Sequence, residues 1–416
     1  MIESLCAIVT KECTVADRDV SCMAGRQPKI LWANPFCLLD LSSGASMAVR
    51  QQLLELKKRG YAVQILGATI FDSPAGLTRL KAHWQALQKS PRPVVNIKDP
   101  PLEYTLIKTK RTERGQMTAE EEARWYKRYI QLLERFKPDW VYYYGGRTLD
   151  LLIGDEARAR GIPVVAYLAN GNFKGKRWCR DVDLILTDSH ATAGLYRDRE
   201  GLDVTPIGAF IDPADVVAPK RAPANILLVN PSLAKGAAVV IRMAMLLEKS
   251  RPDIRFEVVQ SRGSWQALLK EVSTQCGEPR RELSNVTLTP NTADMRPVYA
   301  RAGVLLALSL WWESFGRVAA EAAMNGIPVV ITPRGGLPEA AGACGHPVDL
   351  PEKCYEPPYN NIPKNHALQP VIEQVCALYD RPATTPSAKE GLPNAHSIDQ
   401  AADRLEAALA SVRRAP

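Results

Sequence analysis

The sequence has no Cys-x-x-Cys pair, although it contains nine cysteines: Cys6, Cys13, Cys22, Cys37, Cys179, Cys276, Cys344, Cys354 and Cys376. Their scatter argues against a disulfide framework and against a structural zinc site, and most read as small apolar packing residues. Long hydrophobic runs are missing as well. No uncharged apolar stretch approaches the ~18 residues of a membrane span. Histidine is scarce, at His83, His190, His346, His366 and His396; His190, beside an expected helix start, is the most notable. Nor is there a concentrated block of charge: the formal +8 is spread over both halves of the chain, which speaks against a nucleic-acid partner. The first residues place Glu3, Lys11, Glu12, Asp17 and Arg18 around a short apolar patch, a poor secretory signal, so a cytoplasmic location is expected. Two small basic clusters remain. Lys108, Lys110, Arg111 and Arg114, and Lys174, Lys176, Arg177 and Arg180, are either solvated faces or points of contact with anionic lipid or a phosphorylated acceptor.

What is present describes an α/β protein. The 416 residues, 46% hydrophobic with a mean hydropathy of −0.17, are enough for two substantial cores. Apolar segments of strand length alternate with helical patterns and end in small or turn-forming residues. Lys29–Ala33 leads into Ser42-Ser43-Gly44-Ala45-Ser46 and a helix with Val49, Leu53 and Leu56 on one face, closed by Lys57, Lys58, Arg59 and Gly60. Tyr61–Leu66 is the next strand. Pro138–Tyr144 runs to Gly145-Gly146, Gly161–Leu168 to Asn170-Gly171, and Asp183–Thr187 to Asp188-Ser189, with Ser189 capping a helix. In α/β sheets the carboxyl ends of strands bind ligands, so Gly145, Gly146, Asn170 and Gly171 are candidates for an acceptor or sugar pocket. Asp181-Val182-Asp183 matches the Asp-x-Asp metal signature and equally matches a turn entering a strand; the second reading is preferred.

The densest information lies at Trp312-Glu313-Ser314-Phe315-Gly316-Arg317-Val318-Ala319-Ala320-Glu321. A buried strand over Gly303–Leu308 precedes it, and a helix over Phe315–Met324 is stopped by Asn325-Gly326 and Pro328. Glu313 then sits in a ligand-facing turn and Glu321 about two helical turns further on. The amides of Ser314, Phe315, Gly316 and Arg317 open the helix and offer donors to an anion, while each carboxylate accepts hydrogen bonds from sugar hydroxyls. Two surface glutamates flanking an ordinary helix would show the same spacing. A second strand, Ile327–Thr332, runs into another glycine loop, Gly335-Gly336-Leu337-Pro338-Glu339.

From Ile226 to Gly342 the chain presents a strand, the Lys235-Gly236 turn, a helix, a strand, Asn285-Val-Thr-Leu, Tyr299-Ala-Arg-Ala, Glu313-Ser-Phe-Gly-x-Val-x-x-Glu-Ala and Gly335-Gly-Leu-Pro-Glu, in that order. This ordered set resembles the family-4 retaining glycosyltransferases of GT-B architecture. The opening strand, glycine turn, helix and Arg59-Gly60-Tyr61-x-Val63 resemble the same family's first domain, with Ser43-Gly44 where it usually has a glycine pair. The resemblance implies two Rossmann-like domains facing across a cleft: an acceptor domain over 29–215 after an extension of residues 1–28, a donor domain over 216–390, and a crossover helix over 391–416 that packs back on the first domain. Pro213, Pro219 and Pro223 mark the hinge. Ser397 and Gln400 form an expected capping box for the last helix, whose apolar face carries Ile398, Leu405, Leu409 and Val412.

The resemblance further implies transfer of a sugar, with retention, from a nucleoside-diphosphate sugar, UDP favoured, to a hydroxyl acceptor. Glu313 would grip the sugar, Glu321 the ribose, and Lys235 with Gly236 and the Ser314–Gly316 amides the diphosphate. No metal or cofactor is expected. The chain departs from the family at two places. Asn230 stands where relatives place an arginine on the diphosphate, with Arg262 as a replacement cation or an ordinary exposed arginine, and Ala169-Asn170 stand where relatives often carry a histidine near the sugar. A nucleotide-sugar 2-epimerase and a catalytically silent nucleotide-sugar binder are the alternatives. The nature of the acceptor stays open, as does a peripheral membrane contact.

Overall fold

The structure, a computed structural model, describes residues 26–113, 115–261, 263–381 and 397–413. Most of the expected N-terminal extension, together with Arg114, Arg262 and His396, lies outside the described residues. Two sheets organise the rest. The first has eight strands: β1 (Lys29–Ala33), β2 (Ala62–Ala68), β3 (Val94–Asp99), β4 (Leu102–Ile107), β5 (Trp140–Tyr143), β6 (Val164–Leu168), β7 (Leu184–Thr187) and β8 (Thr205–Pro206). Their spatial order is β3-β4-β2-β1-β5-β6-β7-β8, parallel throughout except for the antiparallel β3–β4 pair at the edge. The second sheet holds β9 (Asn225–Val229), β10 (Arg255–Val259), β11 (Val286–Thr289), β12 (Ala302–Ala307), β13 (Val329–Ile331) and β14 (Gly345–Pro347), in the order β11-β10-β9-β12-β13-β14, all parallel.

Strands covered by helices on both faces lose their polar alternation. All residues of β5, β6 and β7 are buried accordingly, and Trp32, Trp140, Tyr142 and Tyr143 fill the first core. The helix Gly44–Lys58 buries Val49, Leu53 and Leu56 and is capped by Ser43, whose side chain accepts from the Ser46 amide. Strand order reverses between β1 and β5 in the first sheet and between β9 and β12 in the second. At such switch points neighbouring loops leave in opposite directions and open a crevice beyond the strands' carboxyl ends. The residues following β1, β5, β6, β7, β9 and β12 all reach one cleft there.

Two local expectations shift for physical reasons. The helix expected from Phe315 starts at Arg317, because Gly316 has φ +102°, outside the helical region and open mainly to glycine. The strand expected over Ile327–Thr332 shrinks to Val329–Ile331, because the Ile327 amide is used to close the preceding helix on the Ala322 carbonyl.

The last helix, Ile398–Ser411, joins the core of the first domain. Ala401, Ala402, Leu405, Ala408 and Leu409 are buried in that cluster, and the Trp140 indole donates to the Leu409 carbonyl at 3.0 Å. Arg59 pairs with Asp403 and Glu406, and Arg404 donates to the Ile207 carbonyl. Ser397 accepts from the Gln400 amide, one half of the expected capping box. Among the described residues no helix is long and apolar enough to cross a membrane.

Candidate functional site

The two sheets enclose a cleft of about 550 Å³. One wall comes from the second domain, where Asn230, Lys235, Glu313, Ser314, Phe315, Gly316, Arg317 and Glu321 all line the space. The turn after β12 owes its shape to the second glycine loop. Gly335 has φ +61°, and a β-carbon there would overlap the Glu313 carbonyl, while the Gly336 amide donates to that same carbonyl at 2.9 Å. The backbone of Glu313 is therefore braced by a loop some twenty residues downstream.

Glu313 and Lys235 form an ion pair. Ser309 Oγ (3.0 Å) and Trp311 Nε1 (3.2 Å) donate to the same oxygen, Oε2, and the Lys235 ammonium lies 5.5 Å from the centre of the Trp311 ring. Burial acts to raise the Glu313 carboxyl, but the Lys235 charge and these donors prevail and hold it below its ordinary value. Glu313 is thus a fixed carboxylate, with all three donors on one oxygen. Lys235 has three N–H groups and directs one at Glu313.

Glu321 is buried and oriented from two sides. Tyr299 donates its hydroxyl to Oε2 at 2.6 Å, and Arg317 donates Nε to Oε1 at 2.6 Å. Each oxygen keeps a second lone pair for a ligand hydroxyl. Asn230 has φ +60°, a conformation that asparagine tolerates better than most residues, and its backbone N–H donates to Val259 O at 2.9 Å.

The opposite wall comes from the first domain. Ser43, Gly44, Gly145 and Asn170 line the cleft, and a β-carbon at Gly44 would meet nothing within 4 Å. The Asn170 side chain closes its own loop by accepting from the Asn172 amide. Three other expected residues do not line it. Gly146 packs against Phe173 and Trp178, where a β-carbon would come within 2.9 Å of the Phe173 ring. Gly171 packs under Leu195 and Trp312, and Gly236 starts a helix against the Leu308 carbonyl. All three allow close packing behind the site. Arg262 is outside the described residues.

Several lining residues had no place in the sequence-based set: Tyr167, Asp188, Ser309, Trp311 and Tyr299. Asp188 had a usable signal, since it directly follows β7 at the end where ligands bind. Tyr167 donates to Asp188 Oδ2 at 2.6 Å, whereas Oδ1 is buried with no partner among the described residues. Burial pushes the Asp188 carboxyl up to about 7, against the lowering effects of the Tyr167 hydroxyl and the Arg317 charge.

The walls also touch. Ser189 and Thr192 both donate side-chain hydroxyls to the Ser314 carbonyl, and Trp312 Nε1 donates to Thr192 Oγ1 at 3.2 Å. Glu339 accepts from the amides of His190 (2.9 Å) and Ala191 (2.7 Å). Those amides are first-turn donors that the helix His190–Glu200 cannot satisfy itself, so a second-domain carboxylate caps a first-domain helix. It is the backbone of His190 that makes this contact.

Among the described residues, no three His, Cys, Asp or Glu side chains gather as a metal site. Asp181 pairs with Arg180, and Asp183 accepts from the Val164 amide before β7 begins, at the end of the strand remote from the cleft. Lys108 and Lys176 reach backbone carbonyls of their own surface, and Arg180 also pairs with Asp155.

Comparisons with known proteins bear on the fold and on part of the sequence. Residues 225–354 match the family described as glycosyl transferases group 1. A D-inositol 3-phosphate glycosyltransferase of Pseudarthrobacter chlorophenolicus is 31% identical over 157 residues, a match that spans 36% of this chain and 33% of that protein. Among solved structures, a glycosyltransferase from Rickettsia africae superposes with a TM-score of 0.63 at 14% identity, covering 94% of this chain and 100% of the other. Anabaena Alr3699/HepE, solved in complex with UDP, gives 0.61 at 17% identity, covering 92% and 100%. At these identities the shared property is the fold, the two-domain GT-B architecture.

Proposed function

We propose that this chain is a glycosyltransferase that moves a sugar, with retention, from a nucleoside-diphosphate sugar to an acceptor hydroxyl. The observation that carries the proposal is the convergence of Lys235, Glu313 and Glu321 with a helix N-terminus on one cleft wall, the stretch that matches the group 1 family. Glu321, held by Tyr299 and Arg317, would accept from the ribose hydroxyls. The unused N–H groups of Lys235 and the backbone amides of Gly316 and Arg317, where the helix begins, would hold the diphosphate. Glu313, pinned through Oε2, would present Oε1 to the transferred sugar. UDP is the favoured carrier, supported by the fold's occurrence in a UDP complex.

Departure of the diphosphate is the demanding step. Negative charge grows on the leaving phosphate as the glycosidic bond breaks, so donors already fixed around it stabilise the transition state more than the bound donor. Lys235 is preorganised for this by its pairing with Glu313. The interdomain bonds through Ser314 and Glu339 would keep the walls together and limit access of water.

A 2-epimerase is the second reading, and Asp188 favours it, because a carboxyl titrating near neutrality is suited to proton transfer on a sugar. Incubation with a panel of nucleotide sugars, with and without cell extract, followed by mass spectrometry, separates the readings. Acceptor-dependent release of nucleoside diphosphate is the expected result. An isomerised sugar on an intact nucleotide would replace the proposal with epimerisation, and binding without turnover would leave a silent binder.

A further inference from the structure

Asp188 lines the cleft and has no role in the proposed transfer. It lies near the turn of the second domain that carries Glu313, since its neighbour Ser189 and nearby Thr192 both bond the Ser314 carbonyl. One carboxyl oxygen is fixed by Tyr167, and the other is buried without a partner although it belongs to a residue that lines the cavity. Arg317, whose charge acts on Asp188, commits its hydrogen bonds elsewhere, to Glu321 and to the Phe210 carbonyl. A desolvated acceptor of this kind is satisfied when a donor arrives. A diphosphate offers no donor and is repelled by a carboxylate, whereas a sugar hydroxyl offers one.

We propose that Asp188 Oδ1 accepts a hydrogen bond from a hydroxyl of the transferred sugar, making Asp188 a specificity-determining residue contributed by the first domain. The proposal rests on the nucleotide-sugar reading of the cleft. Tyr167 is then a positioning residue, holding the carboxylate through Oδ2 so that the unpartnered Oδ1 is left for the sugar. Recognition becomes two-sided: the second domain reads nucleotide and diphosphate, and the sugar is read by one carboxylate from each domain. A site built to bond a particular hydroxyl discriminates strongly against sugars lacking it, because the buried oxygen is otherwise left unpaired.

Binding of this hydroxyl favours the ionised carboxylate. The titratable and charged groups facing Asp188 are Tyr142 and Tyr167, both kept neutral by burial, and Arg317. Affinity for the sugar nucleotide therefore rises with pH through about 7 and levels off above it.

The test is calorimetric titration of wild type, Asp188→Ala and Asp188→Asn with UDP and UDP-glucose, and with GDP and GDP-mannose in parallel, between pH 6 and 8. Loss of a hydrogen bond to a charged group corresponds to a change of about tenfold or more. Asp188→Ala should lose at least that much affinity for the preferred sugar nucleotide, while binding of the matching nucleoside diphosphate stays within about twofold. Asp188→Asn should abolish the pH dependence of sugar-nucleotide binding. An equal loss for both ligands would assign Asp188 to the fold or the nucleotide, and no change for either would remove it from recognition; each overturns the proposal. Wild type that binds none of the four probes would instead overturn the nucleotide-sugar reading beneath it.

Discussion

Glu339 offers the sharpest test of how the two domains cooperate. Its carboxylate accepts two hydrogen bonds from the amides of His190 and Ala191, at 2.9 and 2.7 Å, at the positive end of a helix in the other domain. Carboxylates at helix N-termini contribute about 0.3–1 kcal/mol when exposed and up to ~2 kcal/mol when partly buried. Here one bond is exposed and one partly buried, so replacement by alanine should weaken the bridge by about 1–2 kcal/mol. With each 1.4 kcal/mol worth a factor of ten, the equilibrium constant for the closed arrangement should fall about fivefold to thirtyfold. The bonds from Ser189, Thr192 and Trp312 remain, so the fold should persist and only the cleft should loosen. Glu339→Ala should enlarge the radius of gyration in X-ray scattering and raise KM for the sugar nucleotide by a similar factor, with Glu339→Gln intermediate. An unchanged radius together with a KM within twofold of wild type would refute the view that this carboxylate ties the domains together.

Replacing Glu321 by Ala should cost about tenfold or more in UDP affinity, measured by calorimetry; an unchanged affinity would remove it from ribose binding. Lys235→Met should destabilise the protein more at pH 7 than at pH 4. In wild type the Lys235 charge holds the Glu313 pKa below its ordinary value, which stabilises the fold at neutral pH and fades on acidification. In the variant burial dominates and raises that pKa, so ionised Glu313 becomes a cost at pH 7 that protonation relieves at pH 4; chemical unfolding at both pH values reads the difference. Gly335→Ala should lower stability by at least ~1–2 kcal/mol from its left-handed backbone alone, more from overlap with the Glu313 carbonyl, and should abolish turnover with it, as read by thermal melting and activity.

Much of the fold was legible because parallel strands in a covered sheet leave continuous apolar runs. Lys29–Ala33 was placed to the residue, and the Gly44–Lys58 helix carried Val49, Leu53 and Leu56 on its buried face. Boundaries slipped where a single backbone demand overrode the apolar pattern, as at Gly316 and Ile327. Glycines after strands were less informative. Gly145 lines the cleft, but Gly146 and Gly171 serve close packing, since a glycine marks a place where a side chain will not fit without saying whether a ligand or a neighbouring residue fills it.

The sequence by itself indicated the architecture and the second-domain wall of the cleft, because apolar periodicity, turn chemistry and an ordered run of short motifs all act over a few dozen residues. Only the tertiary structure decided which groups meet across that distance. It paired Lys235 with Glu313 and surrounded Glu321 with Tyr299 and Arg317. It brought Glu339 to the helix beginning at His190, and buried one oxygen of Asp188 without a hydrogen-bond partner beside the cleft. Those outcomes depend on burial and on which strand ends face each other, and neither quantity exists until the sheets have folded and docked.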